Sequence, residues 1–241
     1  MKTTKAQQDQ TRRLIVRAAV ELIGEQGFEA TTMKQIARSA GIGDATIYKY
    51  FPTKEKLLLE YFEIAFTDAV KQTGETADVE QYSLHERLQL LVDTILEHML
   101  GDREFVAIAH AAAARSPLLV MRDDRPGQAS LTAHVVALLD TAERSGEIAP
   151  CNFKNLIGSF FTDYLFAVLT YWLRDETEEF SDTTQLVDLT LGVLVLALKS
   201  GVVNKLTELA AFMVRSQMSR MMQNGSGLFD LLKSAKRSLG G

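Results

Sequence analysis

One stretch, residues 31–51, limits most strongly what this chain can fold into. Its sequence is TTMKQIARSAGIGDATIYKYF, and its first half has apolar residues at the spacing of a short helix. Ala37 is small enough for close helix contact, and Gly41 stands where a tight turn needs a positive φ. Asp44 is placed to cap a second helix, and Ile47 would fill the seam between the two helices. The stretch therefore predicts a helix-turn-helix unit, whose second helix normally lies in the DNA major groove.

The rest of the chain is also predicted to be helical. Of its 241 residues, 46% are hydrophobic and four are prolines, and no strand-like alternation persists. Cys151 is the single cysteine, so an internal disulfide framework is excluded, which fits a reducing cytoplasm. The N-terminus is polar, so we expect no signal peptide. The longest apolar stretch, 186–198, contains Asp188 and is expected to be too short to span a bilayer.

The net charge of −5 conceals an uneven distribution. Residues 1–60 carry a net charge of +3, residues 61–200 carry −12, and residues 201–241 carry +4. The basic N-terminal block is the part expected to face phosphate. Because +3 is modest, dimerisation would help by doubling the contacts.

A longer run of residues around the helix-turn-helix carries a family resemblance. Residues 22–58 read LIGEQGFEATTMKQIARSAGIGDATIYKYFPTKEKLL, preceded by a predicted helix over 10–26 and a predicted mobile arm over 1–9. The order Gly-Phe-x-x-Thr-Thr, Ile-Ala, Ala-Gly, Thr-Ile-Tyr-x-Tyr-Phe resembles the N-terminal domain of the TetR/AcrR family of transcriptional regulators. The resemblance covers about residues 10–60. It implies an all-α homodimer with a three-helix DNA-binding domain and a ligand-responsive C-terminal bundle.

The resemblance also implies which residues contact DNA. A threonine at the start of the second helix and Lys54 at the start of the fourth would hold phosphates, while the recognition helix would contact phosphates and base edges. Tyr50 as core and Thr32 as a cap alone are open alternatives. The implied set is Thr31, Thr32, Asp44, Ala45, Thr46, Tyr48, Lys49, Tyr50 and Lys54.

Asp44 departs from the family pattern, which has a small or basic residue at this position. A carboxylate there suits an N-cap and the helix dipole. It would repel nearby phosphates unless it faced the amino group of a cytosine. We favour the cap, so the departure affects the expected base preference rather than the motif.

Two helices in the C-terminal half are predicted to form a dimer interface. Residues 152–173 and 182–199 are apolar around more than one face, and a helix of this kind must bury both faces. A four-helix junction between two copies would do so. We therefore divide the chain into a DNA-binding domain (1–53), an effector-binding and dimerisation domain (54–200) and a C-terminal helical extension (201–241).

An effector site is expected from the resemblance, and no catalytic site is expected. The four histidines are scattered, and neither a metal-ligand spacing, a phosphate loop nor a nucleophile elbow is found, so we predict no enzyme, metal or cofactor. A pocket for a small apolar or amphipathic effector would have an apolar lining with a few polar anchors. Its candidate residues are Phe105, His110, Met121, His134, Phe161, Tyr164 and Trp172.

The extension 201–241 leaves several interpretations open. It combines a methionine-rich helical stripe with a basic end, which suits a cap on the bundle of its own or the partner subunit, a groove on a partner protein, or a membrane surface.

The first functional hypothesis is a ligand-responsive repressor that binds a palindromic operator as a homodimer. The alternative is an interaction or sensor protein whose C-terminal helices dock a partner or membrane.

Overall fold

The computed structural model describes residues 4–115, 125–205 and 208–216, and these residues form helices and turns without a β-strand. The all-α prediction is thus confirmed. The helices with defined bounds are α1 (Lys5–Gln26), α2 (Met33–Ser39), α3 (Asp44–Tyr50), α4 (Lys54–Gly74), α5 (Leu84–Leu100), α6 (Arg103–Arg115), α7 (Gln128–Arg144), α8 (Lys154–Trp172) and α9 (Ser181–Lys199).

The N-terminal unit, α1 to α3, has the predicted helix-turn-helix geometry. Thr32 caps α2 and forms a capping box with Gln35, which satisfies two of the free N–H groups at the helix start. Gly41 has a φ of +68°, and Ile47 is fully buried in the seam. The predicted cap at Asp44 is wrong, because Gly43 is the N-cap and Asp44 is already the first helical residue.

The start of α1 also differs from the prediction of a mobile arm over 1–9. The Thr4 hydroxyl accepts a hydrogen bond from the Gln7 N–H, and the Thr4 N–H donates to the Gln7 side-chain oxygen. This capping box begins the helix at Lys5, five residues before the predicted start. The signal is a Thr-x-x-Gln pattern with no apolar periodicity.

Helix α4 connects the N-terminal unit to the bundle. Thr53 caps this helix, and the buried side chains of α4 include Leu57, Leu58, Phe62 and Phe66. It contacts α1 on one side and α5, α6 and α7 on the other. A displacement of α4 by the bundle would therefore be transmitted directly to the helix-turn-helix.

Helices α5 to α9 form the bundle, in which α7 and α8 share the most extensive contact. The turn between α8 and α9 is held by Asp175, which is buried. Hydrogen bonds from the Thr177 and Thr183 hydroxyls and N–H groups hold the pKa of this carboxyl well below its usual range. The first residue of the acidic 175–182 connection is therefore an internal capping group.

Gly127, directly before α7, provides a test of backbone geometry. Its φ is +69°, and an added Cβ would lie 2.6 Å from Phe66 Cδ2 and 2.8 Å from Phe66 Cβ. We expect Gly127→Ala to lower the free energy of unfolding by about 3 kcal/mol, from αL strain and overpacking together. Gly146→Ala is the matched control, because Gly146 has a φ of +77° but no atom within 4 Å of the added Cβ. Its expected cost is about 1 kcal/mol, and equal costs in urea denaturation would refute the clash with Phe66.

Helix α9 differs from the expectation drawn from its apolar stretch. Within the described residues, the segment Glu178–Lys199 is long and apolar enough to cross a membrane by length and composition. In this fold 28% of its most apolar window is buried. Val187, Leu191, Val195 and Leu198 of α9 are buried in the bundle. Helix α9 therefore buries one face in the bundle and leaves a second apolar face exposed.

Candidate nucleic-acid interface and effector site

The recognition helix α3 presents one face to solvent. Ala45, Tyr48 and Lys49 are exposed, and 52% of the Tyr48 surface is accessible although the side chain is aromatic. Tyr50 is half-buried and packs against the core, so its ring takes the core alternative. The exposed face is seven residues long and stands on a rigid base, which suits the major groove.

Helix α2 contributes exposed polar residues beside α3 that the sequence interpretation missed. Lys34, Gln35 and Arg38 are exposed on the side of α2 opposite its buried Ile36 and Ala37. The Lys34 ammonium lies 3.8 Å from the Asp44 carboxylate. This pairing offsets the repulsion that Asp44 alone would exert on phosphate. The signal was available in the sequence, because polar residues at positions 34, 35 and 38 complement the apolar face of α2.

Two predicted phosphate contacts are contradicted by their surroundings. Thr31 is fully buried, and its hydroxyl donates to the Gly27 carbonyl at 2.8 Å. The Lys54 ammonium donates to the carbonyls of Phe28 and Thr31 at 2.6 and 2.8 Å and lies 4.2 Å from the centre of the Phe28 ring. Both side chains therefore secure the α1–α2 connection. The start of α4, where Lys54 lies, is capped by Thr53, whose side chain accepts from the Lys56 N–H.

The arginines of α1 are also engaged within the protein. Arg12 pairs with Glu60 of α4 at 2.8 Å, and Arg13 forms a two-pronged pair with Asp68 of α4 at 2.5 and 2.7 Å. A fork of this kind fixes orientation as well as charge. Part of the positive charge of residues 1–60 thus attaches the DNA-binding unit to α4, which lowers the charge available to DNA.

The turn between α5 and α6 links the DNA-binding unit to the bundle. Asp102 accepts from Arg17 of α1 at 3.4 Å and from the Tyr61 hydroxyl of α4 at 3.3 Å. Burial, together with the Asp102 carboxylate, raises the pKa of Tyr61 above its ordinary value. The next residue, Arg103, donates to the carbonyls of Trp172 and Asp175 at the end of α8, both at 2.8 Å. Two adjacent residues therefore connect different parts of the protein. Asp102 contacts α1 and α4, and Arg103 contacts the α8–α9 turn.

The predicted effector residues are not brought together. Phe105, Phe161 and Trp172 are buried core residues, and Trp172 stacks under Arg103. Tyr164 hydrogen-bonds Thr190 at 2.8 Å on the outer side of α8 and α9. His134 is half-buried, and burial lowers the pKa of its imidazole. Met121 lies outside the described residues.

His110 borders a cavity that Phe161 and Tyr164 do not line, since these two residues line a separate groove. The cavity has a volume of about 300 Å³ and lies between α6, α8 and the start of α7. The ring Nε2 of His110 is 3.2 Å from both the Phe166 carbonyl and the Thr170 hydroxyl. Arg125 pairs with Asp163 at its edge. Its lining is His110, Ala114, Arg125, Asp163, Phe166, Ala167 and Thr170.

Arg125 also borders a second, larger cleft. This cleft has a volume of about 750 Å³, opens to solvent and lies between α4 and the first turns of α7 and α8. It contains polar groups that include Gln128, Asn155 and Ser159. Both linings mix apolar side chains, such as Phe166 and Leu59, with polar or charged ones, and a mixed lining suits an amphipathic molecule better than a purely apolar one. Among the described residues, no cluster of three or more His, Cys, Asp or Glu side chains could hold a metal ion.

Comparison with protein families decides the identity of the fold. The profile described as "Bacterial regulatory proteins, tetR family" matches residues 15–61, and the profile "Tetracyclin repressor-like, C-terminal domain" matches residues 87–213. The chain belongs to the TetR family. It is therefore a transcriptional regulator with a DNA-binding helix-turn-helix, and its relatives are regulators rather than enzymes.

Two named regulators show how similar this TetR-family chain is to its relatives in sequence. The Fatty acid metabolism regulator protein of Bacillus subtilis is 26% identical over 191 residues, which cover 79% of this chain and 95% of the relative. The HTH-type transcriptional repressor NicS of Pseudomonas putida is 38% identical over 109 residues, which cover 43% of this chain and 49% of the relative.

Solved TetR-family structures share the fold. The Thermus thermophilus repressor FadR in complex with lauroyl-CoA has a TM-score of 0.58 at 20% identity, covering 75% of this chain and 92% of FadR. Bacillus subtilis FadR in complex with stearoyl-CoA has a TM-score of 0.57 at 23% identity, covering 74% and 96% of the two chains. At these identities the likeness establishes the fold alone.

Proposed function

We propose that this regulator is a ligand-responsive repressor that binds a palindromic operator as a homodimer in the cytoplasm. The observation that carries the proposal is the exposed face of α3, with Tyr48 and Lys49, flanked by Lys34 and Arg38 of α2. A two-fold dimer would present two such faces to successive major grooves. Thr32, Ala45 and Thr46 complete the proposed contact surface.

The outer faces of α8 and α9 support the homodimer. Leu189, Val193 and Leu196 of α9 are 59, 69 and 68% exposed, and their spacing places them on one stripe. Phe160 and Leu156 form a parallel exposed stripe on α8. Between the stripes lies an almost entirely apolar groove of about 370 Å³. A second copy would bury these faces in a four-helix junction, as expected for a two-fold interface.

The effector is proposed to be an amphipathic molecule bound at the His110 cavity, with its polar part directed to the cleft beyond Arg125. The cavity and cleft share Arg125, which makes one continuous path the simplest arrangement. Long-chain acyl-CoA thioesters are the class to test first. They combine an apolar chain with a polar head, and they are bound in the two FadR structures of the same fold.

The experiment begins with genome-wide mapping of the binding sites in the native host, followed by fluorescence anisotropy on the recovered operator. We expect a palindromic site bound by two subunits and released by an acyl-CoA, with repression of the adjacent genes. Ala167→Trp, which adds bulk to the cavity wall at a residue exposed to it, should reduce release without altering operator affinity. Binding to asymmetric single half-sites would contradict the homodimer, and unchanged release in Ala167→Trp would contradict the assigned cavity.

A further inference from the structure

The C-terminal arm, residues 202–205 and 208–216, carries apolar side chains that its own chain leaves in solvent. Leu209, Phe212, Met213 and Val214 are between 55 and 62% exposed. Leu209, Phe212 and Met213 have the i, i+3, i+4 spacing of one helix face. A continuous apolar face of this kind marks an interaction surface, unlike single exposed apolar residues.

The root of the arm is fixed to the bundle. Gly201, with a φ of +70°, ends α9 and redirects the chain. The Ala149 N–H donates to the Leu198 carbonyl at 3.2 Å, and the Asn204 side-chain amide donates to the Pro150 carbonyl. Val203 packs against the core. The arm therefore leaves the bundle at a defined place, and the prediction that it caps its own bundle does not hold for residues 208–216, which are exposed apart from half-buried Ser216.

Two observations favour a second copy of this chain as the partner. The exposed stripe of α9, which includes Val193 and Leu196, and the exposed face of the arm lie on consecutive segments of the chain, so one partner could cover both. The C-terminal domain profile extends to residue 213, which places most of the arm within the domain rather than in a separate module. Residues 217–241, which include the predicted basic end, lie outside the described part of the chain.

We propose that the arm of each subunit packs against the bundle of the other subunit and extends the α8–α9 interface. This inference rests on the proposed homodimer. In a two-fold assembly both arms would make the same contact, so the contact would occur twice in each dimer. The arm would then add to dimer affinity, and through it to operator affinity, without touching DNA.

Photo-crosslinking of the full-length protein tests the contact directly. A p-benzoylphenylalanine at position 212 is irradiated in an equimolar mixture of tagged and untagged chains, and the products are identified by mass spectrometry. We expect a tagged–untagged product at twice the chain mass, joined to a peptide of the bundle. Crosslinks confined to the same chain, or the absence of crosslinks, would overturn the proposal.

A charge-insertion pair tests the energetics and separates this proposal from the homodimer itself. Leu209→Glu combined with Phe212→Glu should raise the dimer dissociation constant about tenfold in sedimentation velocity, while Tyr82→Glu, at an exposed aromatic residue near α5, should leave it unchanged. An unchanged constant in the double variant, with Val193→Glu monomeric, would overturn the arm and leave the homodimer intact. Binding of the wild-type protein to vesicles of phosphatidylglycerol and phosphatidylcholine that the double variant loses would assign the face to a membrane and also overturn the arm.

Discussion

Replacing Val193 with glutamate is expected to convert the dimer to monomers and to abolish operator binding at working concentrations. Val193 is the most exposed large apolar residue of α9 and does not contribute to the buried core of its own subunit. In a two-fold junction the substitution would place two carboxylates in an apolar interface without partners. An uncompensated buried charge costs about 3–5 kcal/mol, which corresponds to at least about a hundredfold rise in the dimer dissociation constant.

The measurement combines sedimentation equilibrium with anisotropy on the operator. Circular dichroism should show an unchanged helical content and melting temperature for the monomer, because the side chain lies outside the core. Tyr82→Glu is the control for adding a carboxylate at an exposed aromatic position, and its dimer should be unaffected. A Val193→Glu protein that sediments as a dimer would place the interface elsewhere on the molecule.

Lys49→Ala and Lys54→Ala are expected to fail in different ways, although both residues were first predicted to bind phosphate. Lys49 is exposed on α3 and lacks a described ion pair, so its loss should weaken operator binding about tenfold and lower the salt slope by about one per subunit. Its melting temperature should not change. Lys49→Arg, which keeps the charge, should restore most of the affinity.

Lys54→Ala should instead destabilise the fold. The substitution removes two charge-assisted hydrogen bonds to the Phe28 and Thr31 carbonyls and the contact over the Phe28 ring. We expect the free energy of unfolding to fall by about 2 kcal/mol, with the salt slope of DNA binding unchanged. A Lys54→Ala protein of wild-type stability and reduced salt slope would return Lys54 to the DNA surface and contradict its internal role.

Short-range patterns in the sequence were sufficient for the DNA-binding unit. Gly41 predicted the turn and Ile47 the seam, because turn geometry and helical spacing depend on residues only a few positions apart. The same holds for α8 and α9, which were predicted over 152–173 and 182–199 from their apolar residues. The exceptions are the N-cap of α3, which is Gly43 instead of Asp44, and the start of α1, where a capping box of Thr4 and Gln7 begins the helix without an apolar signal.

Roles that depend on distant residues could not be predicted in this way. Thr31 and Lys54 have the chemistry of phosphate ligands. They are 23 positions apart in the chain, but the fold brings the Lys54 ammonium to the Thr31 carbonyl instead. The predicted effector set combined residues that are apolar or polar at suitable spacing, yet Trp172 is buried in the core whereas Tyr164 hydrogen-bonds Thr190 of α9. Arg125 and Asp163, which border the cavity, are 38 positions apart, and neither carries a local signal.

The helix-turn-helix at residues 31–51 and the helical class were thus determined by the sequence itself, through contacts within one or two turns. The tertiary structure decided which positive charges remain available to DNA. It engages Arg12, Arg13 and Lys54 within the protein and leaves Lys34, Arg38 and Lys49 on the surface. The physical reason is that a charged side chain pairs with whichever opposite charge or carbonyl the packing brings within about 4 Å. For Arg12, Arg13 and Lys54 that partner lies far away along the chain.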